Sequence, residues 1–191
     1  MTEAVSKPSV LFVCVKNGGK SQMAAGLMSK IAGHSVQVHS AGTKPGASVN
    51  DHSARALAEV GVDISSQTPK LIDPQLVRAV DIVVTLGREA HVEPVAGTLF
   101  ENWDTDEPSE RGIDGIERMR LVRDDIAART ADLLARLSAR RLAPSTRLDR
   151  PKSSSRFGTT VKWPDVAGER AGAGRARRGH RVRRARPTLA E

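Results

Sequence analysis

The first part of the chain pairs a short apolar run with a segment of helical spacing. Residues 10–14, Val-Leu-Phe-Val-Cys, predict a strand buried on both faces. Asn-Gly-Gly at 17–19 is typical of a tight loop. From Ser21 the apolar residues recur at helical spacing until Gly33 ends the pattern, and they are Met23, Ala24, Leu27, Met28 and Ile31. The segment therefore predicts a strand, a glycine loop and a helix.

The same alternation continues to about residue 141. Val36, Val38 and Ser40 predict a second strand, and 53–60 predicts a helix that Gly61 closes. Residues 81–86 predict a third strand and 98–101 a weaker fourth one. The last helix is predicted from 113 to 141. Its apolar face is expected to comprise Ile116, Met119, Leu121, Ile126, Ala127, Thr130, Leu133, Leu134 and Leu137.

Strands that alternate with helices predict a three-layer α/β fold. We expect a mainly parallel sheet of four strands with helices on both faces. In such sheets the loops that follow the carboxyl ends of the strands carry the functional site. The loop after the first strand is therefore the place to look for chemistry.

The charge of the chain is divided unevenly along its length. The 191 residues carry 30 Lys and Arg against 22 Asp and Glu, a net charge of +8. Residues 138–191 hold 15 basic and 4 acidic residues, which leaves a net charge of −3 for residues 1–137. Residues 142–191 also lack a sustained apolar period. We predict a folded domain at 1–141 and a basic, disordered tail at 142–191.

The arginines of the tail raise a nucleic-acid alternative. Clustered arginines bind a phosphate backbone by releasing counterions. Phe157 and Trp163 are the only aromatic residues of the tail, however, so the stacking of bases on side chains has little support. The composition therefore argues against a nucleic-acid function without excluding it.

A single cysteine removes several further classes of protein. One cysteine forms no internal disulfide and no zinc site built on two or more cysteines. The five histidines, which are His34, His39, His52, His91 and His180, show no metal-ligand spacing, so we expect no metal site. No apolar run approaches the roughly 18 residues of a membrane helix, and the N-terminus lacks the apolar core of a signal peptide. These observations predict a cytoplasmic protein, without a membrane span, whose thiol stays reduced.

The predicted loop has the composition of an oxyanion-binding site with a nucleophile at its mouth. Cys14 is followed by Val15, Lys16, Asn17, Gly18, Gly19, Lys20 and Ser21, and the backbone N–H groups of such a loop can surround an anion. The helix N-terminus and nearby cations favour thiolate over thiol at Cys14. Lys20 adds a positive charge, Ser21 can donate its hydroxyl to the sulfur, and Asn17 can bridge the loop to neighbouring backbone.

Two other interpretations compete with this one. Gly19-Lys20-Ser21 matches the end of a nucleotide P-loop, but the first glycine of that pattern falls at position 14, which is Cys14. Asp81 also precedes its apolar run, whereas a magnesium-binding acid follows one. Alternatively, Cys14 is a buried small hydrophobic residue, as most cysteines are. Its position at the mouth of an anion-binding loop favours the nucleophile.

These residues resemble the low-molecular-weight tyrosine phosphatase family and, within it, the arsenate reductases. The family pattern is a cysteine, five residues, then arginine and serine or threonine, and Lys20 stands here in the place of the arginine. Residues 14–24, with Cys-Val-x-Asn-Gly-Gly-Lys-Ser-Gln-Met-Ala, are similar to the arsenate-mycothiol transferase branch. Segments 39–45, 69–74 and 117–120 match as well. The resemblance covers about residues 9–137.

The resemblance also implies an acid that faces the nucleophile. The family carries an acidic residue followed by proline, four residues after a tryptophan, and Glu107 holds that position after Trp103. The usual residue is aspartate, so Asp106 is a second candidate. Either carboxyl group would protonate a leaving oxygen when burial or the bound anion keeps it protonated. A solvated acidic loop is the competing interpretation.

The mechanism implied by the resemblance is intermolecular. Thioredoxin-coupled reductases of this fold use two further cysteines, and residues 15–191 contain none. Cys14 is expected to attack arsenate, and mycothiol, a co-substrate, to take the arsenic from the enzyme. A mycoredoxin-type reductant would then release arsenite. No bound cofactor is needed. The alternative is a phosphatase that hydrolyses phosphomonoesters through a cysteinyl phosphate, which the replacement of a bidentate arginine by Lys20 disfavours.

Overall fold

The computed structural model of the chain describes residues 6–142. The elements in order are β1 (Ser9–Cys14), α1 (Lys20–Ala32), β2 (Gln37–Gly42), α2 (Asp51–Ala58), α3 (Pro74–Ala79), β3 (Ile82–Leu86), β4 (Leu99–Trp103), a short 3-10 helix (Pro108–Arg111) and α4 (Gly115–Leu142). The predicted domain of residues 1–141 ends inside α4. The predicted tail lies outside the described residues and stays a prediction.

The four strands form one parallel sheet in the order β2-β1-β3-β4. In β1, Val13 pairs with Ala41 of β2 and with Thr85 of β3. The central strands β1 and β3 are buried along their whole length, as their continuous apolar runs predict. The predicted four-stranded parallel fold is therefore confirmed.

Apolar clusters cover both faces of the sheet. On one face Val10, Phe12 and Cys14 pack in a core with residues of α1, α2 and α4. On the other face Leu11 and Val13 pack with residues of and next to α3. The first cluster is the larger one, because two long helices supply it. The core therefore holds the carboxyl end of β1, where the loop begins, in a fixed position relative to the helices packed against the sheet.

Three local expectations differ from the structure. The helix α3 was not among the predicted elements, because it is only six residues long and too short for a periodic signal. Leu121 is exposed, and its neighbour Val122 is fully buried in its place on the inner face of α4. Ile31, expected on the apolar face of α1, is 46% exposed. Spacing alone does not distinguish a buried apolar residue of a helix from one that lies at the edge of the apolar face.

Candidate active site

The carboxyl end of β1 places the Cys14 thiol at the start of the loop. The sulfur is buried and accepts a hydrogen bond from the backbone N–H of Asn17 at 3.2 Å. Its Sγ atom also lies 3.0 Å from the hydroxyl of Ser21, in the first turn of α1. No side chain caps the N-terminus of α1. The first N–H groups of this 13-residue helix are therefore available to an anion beside the thiol.

Asn17 determines which way the Ser21 hydroxyl points. The backbone N–H of Lys70 donates to Asn17 Oδ1 at 2.8 Å, so that atom is an acceptor. The other amide atom, Nδ2, then donates to Ser21 Oγ at 2.8 Å. Since Ser21 Oγ accepts from Asn17, its own proton is free to be donated to the Cys14 sulfur. The sulfur therefore has two donors facing it, as a thiolate requires.

Two glycines let the backbone pass close to the loop. A Cβ atom on Gly18 would lie 2.8 Å from the carbonyl oxygen of Ser48, and one on Gly42 would lie 2.7 Å from that of Val15. Both contacts are with backbone, which cannot move aside as a flexible side chain would. The N–H of Asn50 also donates to the carbonyl of Gly18 at 2.7 Å, which fixes the loop against the start of α2.

An open pocket of about 630 Å³ lies over the thiol. Its wall contains Cys14, Val15, Lys16, Gly19, Lys20, Leu86, Gly87, Arg88, Glu89, Asp104, Glu107, Ser109, Glu110 and Arg118. The sequence-predicted residues Asn17, Gly18 and Ser21 are buried behind this wall and support it. The loop, the acidic segment after β4 and the start of α4 therefore meet at one site.

Lys20, Glu107 and Arg118 form a charged group in this pocket. The ammonium of Lys20 donates to Oε1 of Glu107, and Arg118 donates to Oε2 at 3.2 Å. Burial, followed by the charge of Arg118, lowers the pKa of Lys20. Lys20 also lies over Gly87, which has no side chain to cover the ammonium. Of the two candidate acids, Glu107 is the one placed in the pocket beside Lys20.

Asp106 lies in a different environment. Both of its carboxylate oxygens accept from the guanidinium of Arg111, at 2.7 and 2.8 Å. The hydrogen bonds with Arg111 lower the pKa of Asp106. Asp106 is not among the residues of the pocket wall. The structure thus brings Glu107, but not Asp106, to the thiol loop.

Arg118, which joins the charged group around Glu107, is a site residue that the sequence interpretation did not include. It lies in the first turn of α4, and nothing in the local pattern distinguishes it from the other arginines of that charged helix. The only available signal was its position inside the 117–120 match. Across residues 6–142, no group of three or more His, Cys, Asp or Glu side chains could hold a metal ion. Nor does any helix in that range have the length and apolar character needed to cross a membrane.

A thiol held by two donors, a helix N-terminus without a cap and a nearby cation, on a parallel α/β sheet, are the features expected of a cysteine-dependent, oxyanion-binding site. Comparison with known proteins identifies the family. Residues 9–143 match the family model described as low molecular weight phosphotyrosine protein phosphatase. The chain belongs to this family, and to its arsenate reductase branch, because its curated relatives there reach 40% identity over nearly their whole length.

Two of these relatives come from bacteria. An arsenate reductase of Staphylococcus epidermidis is 40% identical over 127 residues, 65% of this chain and 93% of the relative. An arsenate reductase of Halalkalibacterium halodurans is 37% identical over 131 residues, 65% of this chain and 94% of the relative. Residues outside the matched part have no counterpart in either comparison.

Solved structures give the same result. A thioredoxin-dependent arsenate reductase of Corynebacterium glutamicum aligns with a TM-score of 0.62 and 32% identity, covering 72% of this chain and 65% of that one. This chain thus spans slightly less than two thirds of that protein. An arsenate reductase in a phosphate-binding state aligns with a TM-score of 0.60 and 30% identity, over 68% of this chain and 98% of that one.

Proposed function

We propose that this protein is an arsenate reductase that passes arsenic from Cys14 to a low-molecular-weight thiol, in the manner of an arsenate-mycothiol transferase. The observation that carries the proposal is the Cys14 sulfur, which faces the N–H of Asn17 and the hydroxyl of Ser21 beside Lys20. This arrangement suits attack by a thiolate on a tetrahedral oxyanion. The arsenate reductases among its relatives support arsenate as that oxyanion.

In the first step the Cys14 sulfur attacks arsenic and displaces one oxygen. A sulfur–arsenic bond forms and an arsenic–oxygen bond breaks. The proton that the Cys14 thiol gives up reaches this oxygen through Glu107, and with the proton of hydrogen arsenate it makes the oxygen leave as water. Arsenic stays pentavalent, so this step needs no reductant. The N-terminus of α1 and the cation of Lys20 stabilise the negative charge that remains on the other oxygens.

Glu107 is the acid that this geometry favours. In the absence of substrate its two carboxyl oxygens accept hydrogen bonds from Lys20 and Arg118. A bound dianion competes for both cations and leaves the Glu107 carboxyl group facing negative oxygens. A carboxyl group beside an anion is favoured in its protonated form, and in that form it can donate to the leaving oxygen.

The thiol that takes the arsenic is expected to come from another molecule. The 191 residues contain no cysteine besides Cys14. The sulfur of mycothiol would attack the enzyme-bound arsenic, which frees the Cys14 thiol and gives an arseno-mycothiol adduct. A separate mycoredoxin-type protein would then reduce the adduct to arsenite. The sulfur of its thiol would bond to the sulfur of mycothiol, and the oxidation of these two sulfurs to a mixed disulfide would supply the two electrons that reduce arsenic to arsenite.

The deciding experiment compares wild type with Cys14→Ser in arsenate-dependent consumption of mycothiol. Wild type should consume mycothiol and, with a mycoredoxin added, release arsenite. Cys14→Ser should lower the rate at least about 1000-fold, because a hydroxyl at this position has no adjacent base to activate it. Unchanged urea unfolding and phosphate binding of Cys14→Ser would show that its fold is intact.

Parallel reactions with other thiols test the co-substrate. Glutathione and thioredoxin replace mycothiol at equal thiol concentration. Arsenite formation with thioredoxin alone would overturn the transfer to a small thiol while leaving arsenate as substrate. Efficient hydrolysis of aryl phosphates without arsenate-dependent thiol consumption would overturn the whole proposal in favour of a phosphatase.

A further inference from the structure

Arg118 has so far been described only as a partner of Glu107, although it lines the pocket over the thiol. It reaches the pocket from α4, about a hundred residues after the loop in sequence. Its terminal NH2 group donates to Glu107 at 3.2 Å. Its Nε–H is buried and has no acceptor among residues 6–142. The guanidinium is therefore only partly satisfied by the protein itself.

The Glu107 carboxylate marks the position of an anion in the pocket. Its two oxygens are bound by two cations from different elements, Lys20 of α1 and Arg118 of α4. A carboxylate is a small oxyanion, so cations that hold its two oxygens are also suitably arranged for two oxygens of a tetrahedral oxyanion. Lys20 alone is a point charge, whereas a guanidinium offers several donors in one plane. A bound dianion would accept hydrogen bonds from the planar guanidinium of Arg118, which Lys20 alone cannot provide.

The surroundings of Lys20 and Arg118 favour the binding of an anion between them. Lys20 and Arg118 are positive groups on the same carboxylate, and their side chains are only 20% and 31% exposed. Arg88, the other arginine of the pocket wall, is 71% exposed and donates to Asp104 at 3.0 Å. Arg118 is therefore the arginine of the wall that faces the anion position beside Lys20.

We propose that Arg118 is an oxyanion-binding residue of the Cys14 site, and that Glu107 occupies the shared position of Lys20 and Arg118 until the substrate displaces it. The inference rests on the oxyanion site of the proposed function and adds a residue to it. Binding of the dianion then has two effects. It gives the guanidinium of Arg118 a second anionic partner, and it releases Glu107 toward the leaving oxygen.

The test uses binding of inorganic phosphate to the full chain, measured by calorimetry in a Cys14→Ser background. Arg118→Gln should weaken phosphate binding about 10- to 100-fold, as expected for the loss of charge-assisted hydrogen bonds. Arg118→Lys keeps the charge without the fork and should lose less. Arg120→Gln is the matched control, because it removes the same charge from α4 at a residue that faces Glu59, and its affinity should stay within about twofold.

The variant Glu107→Gln shows whether Arg118 contacts phosphate directly or affects its binding only through Glu107. Removing the internal carboxylate should strengthen phosphate binding several-fold. Arg118→Gln should still weaken binding in that background, because the arginine contacts the phosphate itself. Equal affinity of Arg118→Gln and Arg120→Gln would overturn the proposal. The proposal would also be overturned if Arg118→Gln no longer weakened phosphate binding in the Glu107→Gln background, since Arg118 would then only position Glu107.

Two further readouts keep the result interpretable. If Arg118→Gln does not fold, the comparison of Arg118→Lys with Arg120→Lys decides in its place, and equal affinities contradict the proposal. Phosphate binding depends neither on arsenate turnover nor on the thiol used. A failed arsenate assay with Arg118-dependent phosphate binding would therefore refute the proposed reaction and leave the role of Arg118 standing.

Discussion

Asn17 is the residue that holds the thiol loop together. Its side chain is fully buried, accepts from the N–H of Lys70 and donates to Ser21, which in turn faces the sulfur. Its backbone has a φ of +49°, in the left-handed region that few residues except glycine and asparagine adopt readily. Asparagine thus meets two requirements at once: a left-handed backbone and an amide that bonds on both sides.

Asn17→Ala is expected to lower the free energy of unfolding by about 2–4 kcal/mol, because buried partners lose their hydrogen bonds and alanine tolerates the left-handed backbone less well. Urea denaturation measures the change. Asn17→Gly should recover roughly 1 kcal/mol of it, since only the backbone strain is relieved. Asn102→Ala removes the same atoms from an exposed position and should cost less than about 1 kcal/mol. Equal losses at residues 17 and 102 would contradict this role.

At the scale of elements, the edge strand β4 positions the acidic loop. The segment that carries Glu107 runs from the end of β4 to the start of α4. Glu101 of β4 accepts from Arg136 of α4, with one oxygen 3.0 Å from the guanidinium. The hydrogen bond with Arg136 lowers the pKa of Glu101. This pair therefore connects β4 and α4, the two elements that flank the loop carrying Glu107.

The lowered pKa sets the pH range in which the pair contributes to stability. The contribution is present above the ordinary glutamate pKa of 4.5 and is lost as the pH falls through the lower folded value. Arg136→Gln should cost at most about 1 kcal/mol near neutral pH, since both side chains are partly exposed. The difference from wild type should shrink towards zero in acid.

Urea unfolding of the two proteins from pH 7 to pH 3 measures this change. Glu101→Gln and the double variant complete a cycle that isolates the pair from the other partner of Arg136, which is Asp132. A difference that persists unchanged in acid would show that Arg136 acts through packing rather than through its charge.

At the scale of the whole molecule, the residues assigned to the site all belong to the described part of the chain, 6–142. Every residue assigned to it lies between Cys14 and Arg118, and the family match ends at 143. The net charge of +8 therefore bears little on the proposed chemistry, because it stems from the residues after 137.

A chain that ends at Leu142 should keep kcat/KM for arsenate within about twofold of the full chain, since the truncation removes no group of the site. Measuring both proteins with the same thiol tests this expectation. DNA binding that is salt-dependent in the full chain and lost in the shorter one would assign the basic segment a function of its own. A loss of turnover on truncation would place part of the site beyond residue 142.

Local sequence signals were sufficient for most of the fold and for the thiol loop. The buried central strands β1 and β3 are continuous apolar runs and were predicted for that reason, whereas β2 was predicted from alternation and β4 from a weaker signal. The glycine loop between a strand and a helix similarly indicated Cys14, Asn17, Lys20 and Ser21, and the hydrogen bonds that join Cys14, Asn17 and Ser21 to one another span at most seven residues. Chain geometry over such short distances leaves few alternatives.

Tertiary structure alone decided which distant charges meet the thiol. The sequence by itself determined that an acid follows Trp103, but Glu107 and Asp106 are neighbours and only folding turns one to Lys20 and the other to Arg111. The same holds for Arg118, one of several arginines in a charged helix until α4 packs beside α1. Electrostatic partners are set by distance in space, and sequence separation carries almost no information about that distance.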